Sequence, residues 1–353
     1  MVDRPGPPAV GRTRPVDQAV DAHTTPPARP GPDPGAAAPG GFRHAVGFVG
    51  SDREIVATAL PYVEAGLRAG DRVALTSPAE VTHLLCTALG DRAASVVADE
   101  ALSLLGARAP DAVGRARELA AAAAGRGSGR LRILSFVDVG DRPAGRREGL
   151  RFEAACNRLM AGSGLSVLCL YDRRRLPADV LAGAAVTHPE VLRAGAWTAS
   201  ADYQEPERFI AALSAAHDPL QDRPPVLAVD DAATLPDLRH RLGAALDRHV
   251  PDADQREDLH LGVSEVAANA FRHGRRPVSA RLWVGDGELV CTVTDAGTSF
   301  GDPLAGFRPA HGDDLARGGM GLWLARKLFD TVDLLPSPAG LTVRLAAAVR
   351  GTT

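Results

Sequence analysis

The chain has 353 residues, a formal net charge of -3 and 45% apolar residues, enough for two domains that each bury a core. Its charge balance gives no footprint for nucleic acid, no apolar run is long enough to span a bilayer, and no apolar signal core opens the chain. A cytoplasmic protein without direct nucleic-acid or membrane contact is expected. Lys327 is the single lysine, which excludes a Walker A phosphate loop because Gly-Lys-Ser/Thr occurs nowhere. Cys86, Cys156, Cys169 and Cys291 are widely separated without a Cys-x-x-Cys pair, so they read as buried apolar thiols rather than a disulfide or zinc cluster.

Residues 1–40 hold ten of the 27 prolines and few large apolar side chains. Such a segment buries too little surface to offset its ordering entropy and is predicted to be a disordered tail. From 41 to 213, apolar strand-like runs alternate with alanine-rich helical ones, the pattern of a largely parallel α/β domain. Strands are predicted at Ala45 to Val49, Arg72 to Thr76, Ala94 to Val97, Leu131 to Phe136 and Ser166 to Tyr171. Helices are predicted at Asp52 to Arg68, Pro78 to Leu89, Pro110 to Ala124, Gly145 to Ala161 and Pro177 to Ala185, with Asp52 as a cap. The loop after the first strand, Gly50-Ser51-Asp52-Arg53-Glu54, presents acid where a phosphate loop needs glycine and lysine.

His44, Cys169, Tyr171, Asp172 and His188 are polar or reactive residues near strand ends, either lining a ligand pocket at the carboxyl edge of the sheet or serving as core and turn residues. The absence of a close pair such as His-x-x-x-His argues against a metal there. A polar, proline-bearing linker is expected over 214–224 and a second domain over 225–349. That domain opens with a strand, Val226 to Val229, and a helix, Leu235 to His249, on which His240 and His249 fall at the surface.

The stretch Ser264 to Gly274 places Glu265, Asn269 and His273 at four-residue steps, so on a helix they stack along one stripe beside an apolar arc of Leu259, Val263, Val266 and Ala270. Two further elements follow in order. Strand-like Glu288 to Thr294 runs into Asp295-Ala296-Gly297, and a loop leads to Gly318-Gly319-Met320-Gly321 at the start of an apolar-periodic helix, Leu322 to Phe329. Asp295 can accept from the exocyclic amino group of an adenine that Gly297 leaves room for. Glycines at a helix start expose N–H groups and the positive dipole end to a polyphosphate. The Asn269 amide oxygen is a hard ligand for Mg²⁺, and Glu265 can orient a hydroxyl for attack on a phosphoryl group.

Over about residues 222–349 this ordered set resembles the Bergerat-type (GHKL) ATP-binding fold of gyrase, histidine kinases and the mismatch-repair ATPases. Glu265 and Asn269 match its first box, Asp295 and Gly297 its second, Gly319 and Gly321 its third. The short form with His273-Gly274 after the asparagine looks most like the anti-sigma-factor serine kinases. Ser299 stands where many members have another glycine, and Arg317 offers a positive charge beside the glycine loop. The resemblance implies an α+β two-layer sandwich, ATP and Mg²⁺ as cofactors, a sigma factor and an antagonist protein as partners, and a homodimer as one possible state.

The first half resembles a MEDS domain, a sensory module with a RecA-like core lacking the phosphate loop. The residues that carry this are His44, Glu64 to Val73, Phe152-Glu153 with Asn157, Leu168 to Asp172, and His188-Pro189. It implies a small-molecule signal read by that half. Two activities stay open: an anti-sigma serine/threonine kinase under sensory control, or a signalling module that holds ATP or a partner without chemistry. A histidine kinase lacks its phosphoacceptor hairpin here.

Overall fold

The structure, a computed structural model, describes residues 35–38, 41–297, 301–309 and 319–351. Most of the proline-rich tail, Ser299, Arg317 and Gly318 lie outside the described residues. The first half is a seven-stranded sheet in the order β3-β2-β4-β5-β1-β6-β7. Its strands are β1 (Arg43–Val49), β2 (Arg72–Thr76), β3 (Val96–Ala98), β4 (Leu131–Phe136), β5 (Leu165–Asp172), β6 (Glu190–Arg193) and β7 (Ala196–Ala199), all parallel except for the β6-β7 hairpin. Every residue of β4 is buried, as expected of a parallel strand covered by helices on both faces.

Five helices connect the strands: α1 (Asp52–Ala69), α2 (Ala79–Leu89), α3 (Ala109–Ala124), α4 (Pro143–Leu159) and α5 (Ala178–Thr187). Ser51, not Asp52, caps α1: its Oγ accepts from the Glu54 N–H at 3.2 Å, while Asp52 sits in the first helical turn, where a negative charge favours the helix dipole. The strand predicted at Ala94 to Val97 begins two residues later, because Gly90–Ser95 closes into a 3-10 helix.

The second half is a five-stranded antiparallel sheet in the order β11-β12-β10-β9-β8, formed by β8 (Leu227–Val229), β9 (Ser279–Gly285), β10 (Glu288–Asp295), β11 (Thr331–Ser337) and β12 (Gly340–Ala348). Between β9 and β10, Asp286 and Gly287 both take positive φ, 54° and 72°, as a two-residue hairpin turn requires. Three helices, α7 (Leu235–His249), α8 (Ala253–His273) and α9 (Gly319–Leu328), cover this sheet and share one core with it, built on Leu238, Leu242, Val263, Leu289, Leu345 and Phe329. The result is the two-layer α+β sandwich that the resemblance to the Bergerat-type fold implies.

A short helix, α6 (Pro206–Ser214), links the halves, and buried charge joins them. Arg151 of α4 is fully buried and bonds both Glu148 and Asp333 of β11. Asp333 also accepts two bonds from Arg344, at 2.9 and 2.6 Å, and Arg344 donates onward to the carbonyls of Ser214 and Ala216. Within the junction Asp218 is buried beside Arg147, and Leu220 packs against Trp283, Val290 and Ala346. Among the described residues no helix is long and apolar enough to cross a membrane.

Candidate functional site

Helix α8 is capped by Asp252, whose side chain accepts from the Gln255 N–H at 2.7 Å, and its apolar arc of Leu259, Val263, Val266 and Ala270 is buried as the four-residue pattern requires. Glu265 and Asn269 lie half-buried at the edge of that arc, and His273 is exposed at the helix end. The Glu265 carboxylate stands 3.7 Å from Arg239 of α7, a neighbour that sequence spacing gave no reason to single out.

Gly321, in the first turn of α9, faces Asn269 so closely that a Cβ there would sit 2.7 Å from its Nδ2. A side chain at this position would have to push the Asn269 amide aside. At the end of β10, Asp295 is buried and its Oδ1 accepts from the N–H groups of Gly297 at 2.7 Å and Arg275 at 3.3 Å. Gly274 and Gly297 both crowd this carboxylate, since a Cβ on either would come within 2.7 Å of Oδ1. Among the described residues nothing bonds Asp295 Oδ2, which leaves one carboxylate oxygen available to an incoming N–H donor. Gly319 is the first residue of α9.

In the first half the structure departs from the expected pocket at the strand ends. His44 and Cys169 lie within the strands, on neighbouring β1 and β5, with His44 Nε2 3.4 Å from Cys169 Sγ. Tyr171 packs edge-on against His188. Asp172 is not part of this group: it bonds Arg174, with three contacts of 2.6 to 3.0 Å from that guanidinium. Glu153 of α4 takes its place, with Oε2 3.1 Å from His44 Nε2, 3.6 Å from Cys169 Sγ and 3.5 Å from His188 Nε2.

Burial opposes the charge on Glu153, yet the His188 and His44 rings outweigh it and hold the carboxyl well below the usual carboxylate range. Burial, with the neighbouring His44, pushes His188 down, and burial with Glu153 pushes the Cys169 thiol far up. Cys169 is therefore a thiol among polar groups and not an apolar one, and Cys86 is only half-buried. All four cysteines are free thiols.

Three helices over one face of a five-stranded antiparallel sheet, with a Glu-x-x-x-Asn helix beside a glycine-started one, define a histidine-kinase-like ATPase architecture. The family model described as "Histidine kinase-like ATPase domain" matches residues 228–347, and the one described as "MEDS: MEthanogen/methylotroph, DcmR Sensory domain" matches residues 43–189. The serine-protein kinase RsbW of Bacillus velezensis is 35% identical over 109 residues, covering 28% of this chain and 68% of that protein. RsbW of Bacillus subtilis is 34% identical over the same length and shares. The chain belongs to the family of histidine-kinase-like ATPase proteins that includes these kinases, in a form with a MEDS domain ahead of the ATPase domain.

Proposed function

We propose that the C-terminal half binds Mg·ATP and phosphorylates a serine or threonine of an antagonist protein, that it also sequesters a sigma factor, and that a signal read by the MEDS half controls both. The layout proposed with it is a sensory half over 41–213, a junction over 214–224 and the ATPase half over 225–349. The observation that carries this reading is the seating of Gly321 against Asn269, with Glu265 one turn earlier on the same stripe. It brings a hard amide ligand, a carboxylate and the amino end of a helix into one place.

The residues present fit a nucleotide. Asp295 keeps one carboxylate oxygen for an exocyclic amino group, while Gly274 and Gly297 keep the surroundings of that carboxylate free of side chains. Asn269 would hold Mg²⁺, Gly319 and Gly321 would leave backbone N–H groups open to phosphate oxygens, and His273 would flank them at the end of α8. Bound Mg·ATP supplies the electrophilic phosphoryl group. Glu265 then serves as the base that takes the proton of the incoming hydroxyl, with Arg239 beside it holding the carboxylate in place. The α-helix preceding β8 is the nine-residue α6, followed only by a 3-10 turn at Pro219–Asp222, so no long helical hairpin of the histidine-kinase kind directly precedes β8 among the described residues.

Glu265→Gln tests the assignment because it keeps size and hydrogen bonding and removes the base. The variant is expected to bind Mg·ATP within a few-fold of wild type and to transfer phosphate to an antagonist protein at least about a hundred-fold more slowly. Equal transfer rates would dismiss Glu265 as the base. Binding without transfer by wild type, across candidate antagonists, would instead make the domain a nucleotide-holding module.

A further inference from the structure

His44, Glu153, Cys169 and His188 come from β1, α4, β5 and the residue after α5, and the fold alone assembles them. One donor atom from each lies within 4.8 Å of the other three, and all four residues are buried. Both imidazoles are anchored through Nδ1. His44 Nδ1 meets Asn157 Oδ1 at 3.1 Å, an oxygen fixed in place because Asn157 Nδ2 donates to the carbonyls of Thr187 and Ala154. His188 Nδ1 donates to the Ala184 carbonyl at 2.8 Å. With Nδ1 as the donor, each ring directs the lone pair of Nε2 at the cluster, as ligating histidines do when a second neighbour fixes their tautomer.

With both rings neutral, as burial favours for His188, that arrangement leaves acceptor facing acceptor, whereas the depressed carboxyl of Glu153 needs a positive charge at Nε2, from a proton or a metal ion. The lone pair of His44 Nε2 points at a carboxylate oxygen 3.1 Å away, and His188 Nε2 is fully buried without any hydrogen bond. A hydrogen-bonded core would not leave it so. A cation resolves the conflict. Donors around a tetrahedral Zn²⁺, at about 2.0 to 2.3 Å from the metal, stand roughly 3.3 to 3.6 Å from one another. The contacts His44–Glu153, His44–Cys169, His188–Glu153 and Cys169–Glu153 measure 3.1, 3.4, 3.5 and 3.6 Å. Two neutral imidazoles, one carboxylate and one thiolate carry two negative charges, which a divalent ion cancels in a buried site.

We propose that His44, Glu153, Cys169 and His188 form a binding site for a divalent transition metal of zinc type in the MEDS half. The nitrogen, sulfur and oxygen donor set favours a borderline ion over Mg²⁺ or Ca²⁺, whose ligands are oxygens. A cavity of about 40 Å³, lined by His44, Glu153 and Cys169 together with Phe42, Ile133 and Phe152, borders the donors on one side, so the site has room for a small molecule next to the ion.

The test uses the full chain, untagged and dialysed, with zinc measured by mass spectrometry. Wild type is expected to carry about one equivalent of zinc, and Cys169→Ser and His188→Ala to bind it at least about ten-fold more weakly. Metal-free wild type titrated with Co²⁺ should develop a thiolate-to-cobalt charge-transfer band. The band should disappear in Cys169→Ser and persist in Cys86→Ser and Cys291→Ser, with circular dichroism reporting that each variant is folded. The wild-type titration needs no variant and decides by itself if a substitution fails to fold. Wild type with neither zinc nor a cobalt band, or a band that survives Cys169→Ser, would overturn the proposal.

Discussion

Glu265 and Asn269 in the second half and the His44 cluster in the first place polar groups in contrasting surroundings. The helix pair is half-buried at the edge of an apolar arc, whereas His44 is 3% exposed and His188 0%. Groups that must meet a large, hydrated ligand stay at the surface of their helix, where water satisfies them until the ligand arrives. Groups sealed inside a parallel sheet have no such substitute, so any mismatch among them calls for a proton or an ion. A third set, Arg151, Asp333 and Arg344, is as buried as the His44 cluster, yet its donors meet acceptors throughout except for Arg151 Nε. Burial alone therefore does not mark a ligand site; buried lone pairs facing one another do.

The sharpest way to break that contrast is Asp333→Ala. Removing this carboxylate leaves Arg151 and Arg344 as buried guanidinium groups without their shared counter-charge, and the loss is expected to be about 3–5 kcal/mol, read by chemical denaturation. A loss below about 1 kcal/mol would mean that water reaches the triad and that the two halves are held together elsewhere.

Asn269→Ala addresses the open site. The side chain is half-buried, so its removal opens little cavity and stability should change by less than about 1 kcal/mol. Mg·ATP affinity should fall by about a hundred-fold or more, measured by calorimetry, because the amide oxygen is the ligand assigned to Mg²⁺. Unchanged affinity would place the metal ligand elsewhere.

How much of this could be read from the chain follows from the same contrast. The α8 stripe is local: four-residue spacing fixes which side chains share a face, and Leu259, Val263, Val266 and Ala270 are buried as that spacing requires. Strands β2 and β4 match their expected bounds because their apolar runs are bounded by turn residues. The β6-β7 hairpin escaped notice since its residues are short in number and mostly not buried, which leaves no alternation to read. His44, Cys169 and His188 stand together as pocket candidates in the sequence, but the metal reading is set aside there because sequence spacing tests for neighbouring ligands, while here a parallel register places His44 beside Val167, two residues before Cys169, and helices bring Glu153 and His188 to the same face. Glu153 stood in the MEDS-like motif but not among the expected pocket residues, and Arg239 carried no signal at all.

The smallest expected effect sharpens the boundary of the buried cluster. Asp172 ends β5 three residues after Cys169, and its carboxylate belongs to Arg174. Hydrogen bonds from Arg174 hold its carboxyl below the usual range against the opposing effect of burial. A carboxyl depressed on folding adds stability above its unfolded pKa of about 3.9, and that contribution is lost as pH falls through the lower folded value. Because Arg174 is 45% exposed, the pair is screened and Asp172→Asn should cost less than about 1 kcal/mol at neutral pH. The Asn side chain keeps an oxygen for the Arg174 N–H, so the local turn survives. The stability difference between wild type and variant should shrink on acidification below about pH 4, followed by denaturation at a series of pH values. If Asp172→Asn instead alters zinc content to the extent expected for His188→Ala, then Asp172 acts within the cluster and the division between Arg174-bound and cluster residues is wrong.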